Sequence, residues 1–368
     1  MTTLRLLADD LTGALDTAAE FVPLVGPVDA FWPGSIPASW PPCAAIDTGT
    51  REQDEAAATA GVTAATAGMR GAAIAFKKLD SLMRGQTLPE LAACLRAGSW
   101  RAAVLAPAFP FQGRITRGAQ QWASGSGGWQ PVGPELTSAL AGLGLSARRG
   151  RLGERLAAEV TVFDAENDGD LVALVESLRG MDDILWCGTG GLAQALASGR
   201  PAPAPPIASP ILGLFGSDQA ATAAQLAACA PHWLALPESG PAAAQRLGAA
   251  LDRDGVVMAS LELPPGLDRA DAARRIGAAL ATLTDQLPPP GTLVVAGGET
   301  LRGLCVALGA QSLAVRGRLI PGVPVSTLRG GRWHAVTIVS KSGAFGPPTL
   351  WRDLLPFPAL PTLERISR

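Results

Sequence analysis

Short apolar runs recur along the chain, each followed by a Gly/Ser/Thr/Asp cluster and then an alanine-rich stretch of helical period. The runs are Leu4–Ala8, 73–76, Ala102–Ala106, 184–187, Ile211–Phe215, 256–260 and 293–296. Short strands alternating with helical stretches predict a mainly parallel α/β sheet. The unbroken apolar character of Ala102–Ala106 and 294–296 suits strands covered on both faces. The proline-rich segment 198–210 can form neither a helix nor a central strand, because proline lacks a donor and stiffens the chain. It divides the chain into an N-terminal domain over 1–199, a linker over 200–210 and a C-terminal domain over 211–368. The Gly- and Ser-rich segment 123–133 reads as a mobile surface loop, and 287–291 as an ordinary loop before a strand.

Composition narrows the chemistry. Of the 368 residues 48% are hydrophobic and 17% charged, a balance that builds a core and excludes disorder. Uncharged stretches approaching the ~18 residues of a membrane span are broken by Pro, Gly, Gln or His, as in 201–217 and 219–237, so no membrane partner is expected. A net charge of −2 without a basic run argues against nucleic acid. The N-terminus shows no basic region with a cleavage site, so secretion is not expected. Cys43, Cys94, Cys187, Cys229 and Cys305 are widely spread and form no CxxC pair, as in reduced cytoplasmic proteins. His232 and His334 do not cluster and tyrosine is absent, which excludes a His-based zinc site. No G-x-S-x-G elbow occurs, which disfavours a Ser-His hydrolase. The chemistry falls to Asp, Ser, Thr, Lys, Arg and glycine-rich backbone.

In open α/β sheets ligands bind beyond the carboxyl ends of strands. After Leu4–Ala8 come Asp9, Asp10, a Thr12-Gly13 turn and Asp16. The free N–H groups of a helix start suit an anion, and a carboxylate there can bind hydroxyls or act as a general base. Equally, Asp9 or Asp10 can simply cap the helix. After 73–76 come Lys77, Lys78, Asp80, Ser81 and Arg84, which fit a carboxylate and sugar hydroxyls, or form a solvated polar loop. After Ala102–Ala106 come Gln112, Gly113, Arg114 and Arg117; the arginines either meet an anion or sit on the surface of a helix start. Gly188–Ala193 satisfies a relaxed G-x-G-x-x-A fingerprint but lacks the acid ~20 residues on, and tight packing explains its glycines equally well. In the C-terminal half GSDQAAT, AGGETLRG and SKSGAFGPPTL each follow a strand. Such turns suit a nucleotide held by backbone N–H groups, although none is a Walker A loop.

Taken in order, ADDLTGALDTAAEF, KKLDSLMRG, APAFPFQGRITRG, CGTGGLA, GSDQAATAAQ, GGETLRG and KSGAFG resemble the four-carbon acid sugar kinase family over nearly the whole chain. The resemblance implies two Rossmann-like α/β domains with mainly parallel sheets and a ligand cleft between them. The N-terminal domain would bind a sugar acid and the C-terminal domain ATP with Mg²⁺. The γ-phosphoryl would pass to the terminal hydroxyl of a tetronate or oxo-tetronate. By motif, Asp10, Asp80, Ser81 and Arg84 look like substrate contacts, with Asp9, Asp16, Lys78, Gln112 and Arg114 expected beside them. Ser217, Gly297, Gly298, Glu299, Thr300 and Gly343 look like ATP contacts.

Arg84, helped by Lys77 or Lys78, is expected to clamp the carboxylate, and Asp10 to accept the proton of the attacking hydroxyl. Two alternatives are a ribokinase-type sugar kinase and an NAD-dependent dehydrogenase of a small hydroxy acid. Asp10 to Asp16 fits D-x-T-G-A-x-D, like the anion-hole motif of ribokinase-type enzymes, but here it begins the chain. Two departures from the family pattern bear on which acid is taken. The family reads G-A-N-D where this chain has Gly13-Ala14-Leu15-Asp16, and D-S-T-L-R-G where it has Asp80-Ser81-Leu82-Met83-Arg84-Gly85. The alanine-rich helices mark no dimer surface, and a homodimer stays open.

Overall fold

The computed structural model describes residues 2–156, 158–197, 200, 203–216, 219–237, 240–262, 266–267 and 269–357. The chain divides into two compact α/β units, Met1–Pro205 with Ala310–His334, and Pro206–Gly309 with the residues from Ala335 onward.

In the first unit the central strand is Leu4–Ala8, flanked by Cys43–Asp47 on one side and Ile74–Lys78 on the other. Val28–Phe31 follows beyond Cys43–Asp47, and Ile184–Gly188, Ala102–Ala106, Val160–Val162 and Ala147–Arg149 follow in turn beyond Ile74–Lys78. All these pairings are parallel. Leu4, Leu6, Leu7 and Ala8 are fully buried, and Ala102–Ala106 and Ile184–Gly188 are buried along their whole length. This is the both-faces-covered strand that an unbroken apolar run predicts. The strand order runs outward from Leu4–Ala8 in both directions, and in open α/β sheets the carboxyl ends of strands at such a point are where ligands bind.

The sequence reading assigns all of 211–368 to the second domain, whereas the structure places Ala310–His334 with the first unit. The hairpin of Ser312–Ile320 and Val323–Arg329 joins its sheet, with Leu313 opposite Ala30 in an antiparallel pairing. Such a distant pairing has no local signature.

The expected mobile loop 123–133 is largely strand. Arg114–Arg117, Gln120–Gly125 and Gly128–Val132 form a three-stranded antiparallel sheet. Glycine supplies the tight corner, with Gly128 at φ +87°. Arg117 accordingly ends a strand rather than starting a helix, and its guanidinium pairs with Glu166 at 2.5 Å.

The second unit carries five parallel strands in the order Trp233–Leu236, Val256–Leu261, Ile211–Phe215, Thr292–Ala296 and Thr337–Lys341. Helices Ala220–Ala227, Pro241–Asp254, Arg269–Gln286 and Gly298–Ala307 lie between them in sequence. Among the described residues no helix is long and apolar enough to cross a membrane.

Candidate active site

Helix Leu11–Val25 begins directly after the central strand, and Asp10 is its N-cap. Asp10 Oδ1 accepts from the Gly13 amide at 2.9 Å, and Oδ2 accepts from the Thr12 hydroxyl at 2.6 Å. The cap reading of Asp10 is thus realised, satisfying an amide that the first helical turn leaves unpaired.

Arg51, from the loop after Cys43–Asp47, draws three carboxylates together. It grips both oxygens of Asp9, with Nη2 donating to Oδ1 at 2.7 Å, and it reaches Asp10 at 3.1 Å and Asp80 at 3.0 Å. Burial alone would raise the Asp9 carboxyl; the Arg51 hydrogen bonds and charge, with Lys77 and Lys78 behind, hold it below its ordinary value. Asp80 behaves alike: burial pushes it up, and Arg84 with Arg51 reverses this to well below the usual carboxylate range.

The loop after Ile74–Lys78 is wound around Asp80. Asp80 Oδ1 accepts from the amides of Leu82 at 2.9 Å and Arg84 at 3.2 Å, while the Arg84 side chain donates to both oxygens at 3.1 and 2.7 Å. Met83 takes φ +54°, a left-handed conformation costly for a side chain, which these bonds over-determine. Ser81 is fixed through its carbonyl, which accepts from Gln121 of the small sheet at 3.2 Å.

Strand Ile74–Lys78 runs two residues beyond the predicted run and carries both lysines into the interior. Lys77 and Glu90 form an ion pair at 2.7 Å, each 1% exposed, and Thr50 donates to the other Glu90 oxygen at 2.6 Å. The expected help of Lys77 in clamping a ligand is therefore withdrawn: its ammonium is buried and committed to Glu90. Lys78 is also buried, its Nζ donating to the Leu79 carbonyl at 2.9 Å. Gln112 and Arg114 share one turn, with Arg114 Nη1 donating to the Gln112 carbonyl at 2.6 Å. Arg114 Nε is buried with no hydrogen-bond partner, near enough to Asp80 and Arg84 to feel their charges. Leu15 is fully buried inside the core.

In the second unit three turns follow Ile211–Phe215, Thr292–Ala296 and Thr337–Lys341. The Gly297 amide donates to the Lys341 carbonyl at 2.9 Å, and Gly297 takes φ +96°, which favours glycine. Gly298, exposed Glu299 and buried Thr300 open helix Gly298–Ala307, and Glu299 pairs with Arg302 at 2.6 Å. The Gly343 carbonyl accepts from the Thr222 hydroxyl at 2.8 Å and from Lys341 Nζ at 3.2 Å. Gln225 donates to the carbonyls of Phe345, Gly346 and Pro347, which fixes the rest of this turn. Ser217 lies outside the described residues.

Lys341 is 1% exposed and has no carboxylate partner among the described residues; burial pushes its ammonium down to about 7. A cation held this way meets an anionic ligand at low desolvation cost, because the cost of burying it has already been met by the fold. Lys341 Nζ donates to the carbonyls of Ser342 at 3.0 Å and Gly343 at 3.2 Å and lies 5.7 Å from the Trp351 ring centroid. Among the described residues no group of three His, Cys, Asp or Glu could hold a metal.

Arg51 and Lys341 escape sequence reasoning. The run 43–47 is short and directly preceded by prolines, so its strand-end loop draws no attention, and Lys341 is masked by the small residues around it. The dinucleotide-like turn of Gly188–Ala193 is accounted for by packing. A Cβ on Gly188 would lie 2.6 Å from the Ala106 carbonyl oxygen, and one on Gly191 2.7 Å from that of Ala108.

Fold and strand-end sites define a two-part enzyme with one unit for a polar small molecule and one for a nucleotide. Residues 4–135 match a sugar-binding N-terminal domain and residues 212–350 a nucleotide-binding C-terminal domain. The chain belongs to the four-carbon acid sugar kinase family, ATP-dependent phosphotransferases. It is similar to the D-threonate kinase of Bordetella bronchiseptica, 31% identical over 382 residues that cover 93% of this chain and 94% of that protein. It is also similar to the 3-oxo-tetronate kinase of Pseudomonas fluorescens, 31% identical over 233 residues, 55% of this chain and 53% of that protein. A solved structure described as a putative tRNA synthase from Salmonella typhimurium LT2 matches with a TM-score of 0.75 at 20% identity. It covers 96% of this chain and 98% of that one, a likeness of fold alone.

Proposed function

We propose that this kinase transfers the γ-phosphoryl group of ATP to the terminal hydroxyl of a four-carbon sugar acid, a tetronate or oxo-tetronate. The observation that carries the reading is the Arg51-centred cluster at the carboxyl ends of Leu4–Ala8, Cys43–Asp47 and Ile74–Lys78. It presents alternating carboxylates and guanidinium groups on short, hydrogen-bonded loops, the surface a small acid rich in hydroxyls requires. Arg84, whose side chain is 55% exposed and whose Nη1 is not spent on Asp80, takes the substrate carboxylate, with Arg114 beside it. Asp9, Asp10, Asp80, Ser81 and Gln112 frame the hydroxyls. In the second unit Gly297, Gly298, Thr300, Gly343 and Lys341 hold the nucleotide, with Glu299 beside them. Phosphoryl transfer asks the protein chiefly for positioning and charge stabilisation, which both sites supply.

The likeness to a D-threonate kinase over nearly the whole chain supports a tetronate as acceptor. All five cysteines are free, which supports a reducing, cytoplasmic setting. The test is ADP release across a panel of four-carbon acids, oxo-acids included, with the phosphorylated carbon located by ³¹P and ¹³C NMR. Turnover of one or more at the terminal hydroxyl is expected; no ADP release above the acid-free rate on any of them refutes the reading.

A further inference from the structure

The carboxylates near the candidate site differ in what their oxygens have left to give. Both oxygens of Asp9 are gripped by Arg51. Asp10 Oδ1 accepts from the Gly13 amide and Arg51, and Oδ2 from Thr12. Asp80 accepts from two amides and two guanidinium groups. Glu90 is shared between Lys77 and Thr50, and Glu20 is buried against Arg318 of the hairpin. Asp16 is the exception: its donors both come from Thr17, the hydroxyl to Oδ1 at 2.9 Å and the backbone amide, and no other residue among those described donates to Oδ2. The residue is half-buried.

Its surroundings suit proton transfer. Asp16 follows Gly13 by three residues on helix Leu11–Val25, so the two share a face. A Cβ on Gly13 would lie 3.3 Å from Lys78 Nζ and 2.5 Å from Asp10 Oδ1, so the missing side chain lets the lysine stand against the helix. The groups acting on Asp16 are Lys78 from the neighbouring strand and Asp10 from the same helix. Glu20, one turn further, also feels Asp16, but is engaged by Arg318.

We propose that Asp16, rather than Asp10, is the catalytic base. Its Oδ2 accepts the proton of the acceptor hydroxyl as that hydroxyl oxygen bonds to the γ-phosphorus. The O–H bond breaks, the new P–O bond forms, and ADP leaves with the electron pair of the broken phosphoanhydride bond. The proton on Asp16 then passes to solvent. A carboxylate oxygen already held by a donor, as both oxygens of Asp10 are, shares its charge with that donor when it takes a proton; beyond Thr17, Asp16 Oδ2 has no such competitor among the described residues. Burial, opposed by Lys78, raises its carboxyl to about 6, nearer to working pH than an ordinary aspartate and so a better-matched base.

This inference rests on the acid-kinase reading, and its test uses the full-length protein with ATP and the four-carbon acid that the wild type turns over fastest. Asp16→Asn, nearly isosteric, is expected to lower kcat by about 10²–10⁴-fold, the range of general base catalysis, with KM for the acid within about threefold. Asp16→Glu is expected to recover part of the loss. The wild-type kcat/KM is expected to fall about tenfold per pH unit below about 6, and this limb should vanish in Asp16→Asn. An Asp16→Asn enzyme with kcat within about threefold of wild type, or with the acid limb intact, overturns the assignment. A wild type that turns over no four-carbon acid overturns instead the reading on which it rests.

Discussion

Removing Arg51 tests how the N-terminal site is held together. The guanidinium contacts Asp9, Asp10 and Asp80, and the side chains of Asp9 and Asp80 are only 4% and 5% exposed. In Arg51→Ala two buried carboxylates and a half-buried one face each other, with Arg84, Lys77 and Lys78 as the remaining nearby cations. Deleting one partner of a buried pair typically costs 3–5 kcal/mol, so about that loss is expected, with Arg84 keeping it from rising further. For a unit of roughly 200 residues, at about 2–4 °C per kcal/mol, the melting temperature of the first unit should fall by roughly 6–20 °C at neutral pH.

The pH dependence supplies an internal check. In the wild type Asp9 and Asp80 are held below their ordinary values, so their contribution is present above the usual carboxylate range and is lost as pH falls through their depressed values. Without Arg51, burial and mutual repulsion act in the opposite direction, and carboxyls raised above their unfolded values disfavour the fold as pH rises. The deficit of the variant should thus be widest at about pH 7.5 and narrower at about pH 5. Differential scanning calorimetry at the two pH values, with Arg51→Lys as the charge-preserving comparison, measures this. A melting temperature within about 2 °C of wild type at pH 7.5 would show that the cluster is not what the geometry says it is.

Glu90→Gln strips the Lys77 ammonium of its counter-charge at a site 1% exposed, and a loss of about 3–5 kcal/mol is expected from urea unfolding. Replacing both partners, as in Lys77→Met with Glu90→Leu, should recover much of it. Lys341→Ala should weaken ATP binding in calorimetry by at least tenfold. In the wild type, affinity should decline as pH rises through about 7, where the lysine loses its charge; unchanged binding would remove Lys341 from the nucleotide site. Gly13→Ala reverses the usual helix preference: alanine is favoured by ~1 kcal/mol in a helix interior, yet its Cβ would meet Asp10 Oδ1 at 2.5 Å. A lower melting temperature and lower kcat are expected, and a stabilised, fully active variant would contradict the crowding.

The local pattern of the chain determined a good deal. Alternation of buried runs with helical stretches is written in adjacent residues, so the parallel α/β architecture and most of its strands were legible from Leu4–Ala8 to Thr292–Ala296. So were the strand-end clusters, because glycine, aspartate and serine at those points have local causes in turns and caps. Ordered motifs also carried the family. What the sequence could not show is which charges meet. Lys77 and Glu90, thirteen residues apart, neutralise one another, and Arg51 reaches acids from two other loops. The hairpin Ser312–Arg329 joins a strand near residue 30. Asp10 and Asp16 look alike as letters, and only the donors around each show that Asp10 caps the helix and meets Arg51 whereas Asp16 meets Thr17. Those distinctions depend on distances between residues far apart in the chain, which are set when the core closes and not by any neighbour in sequence.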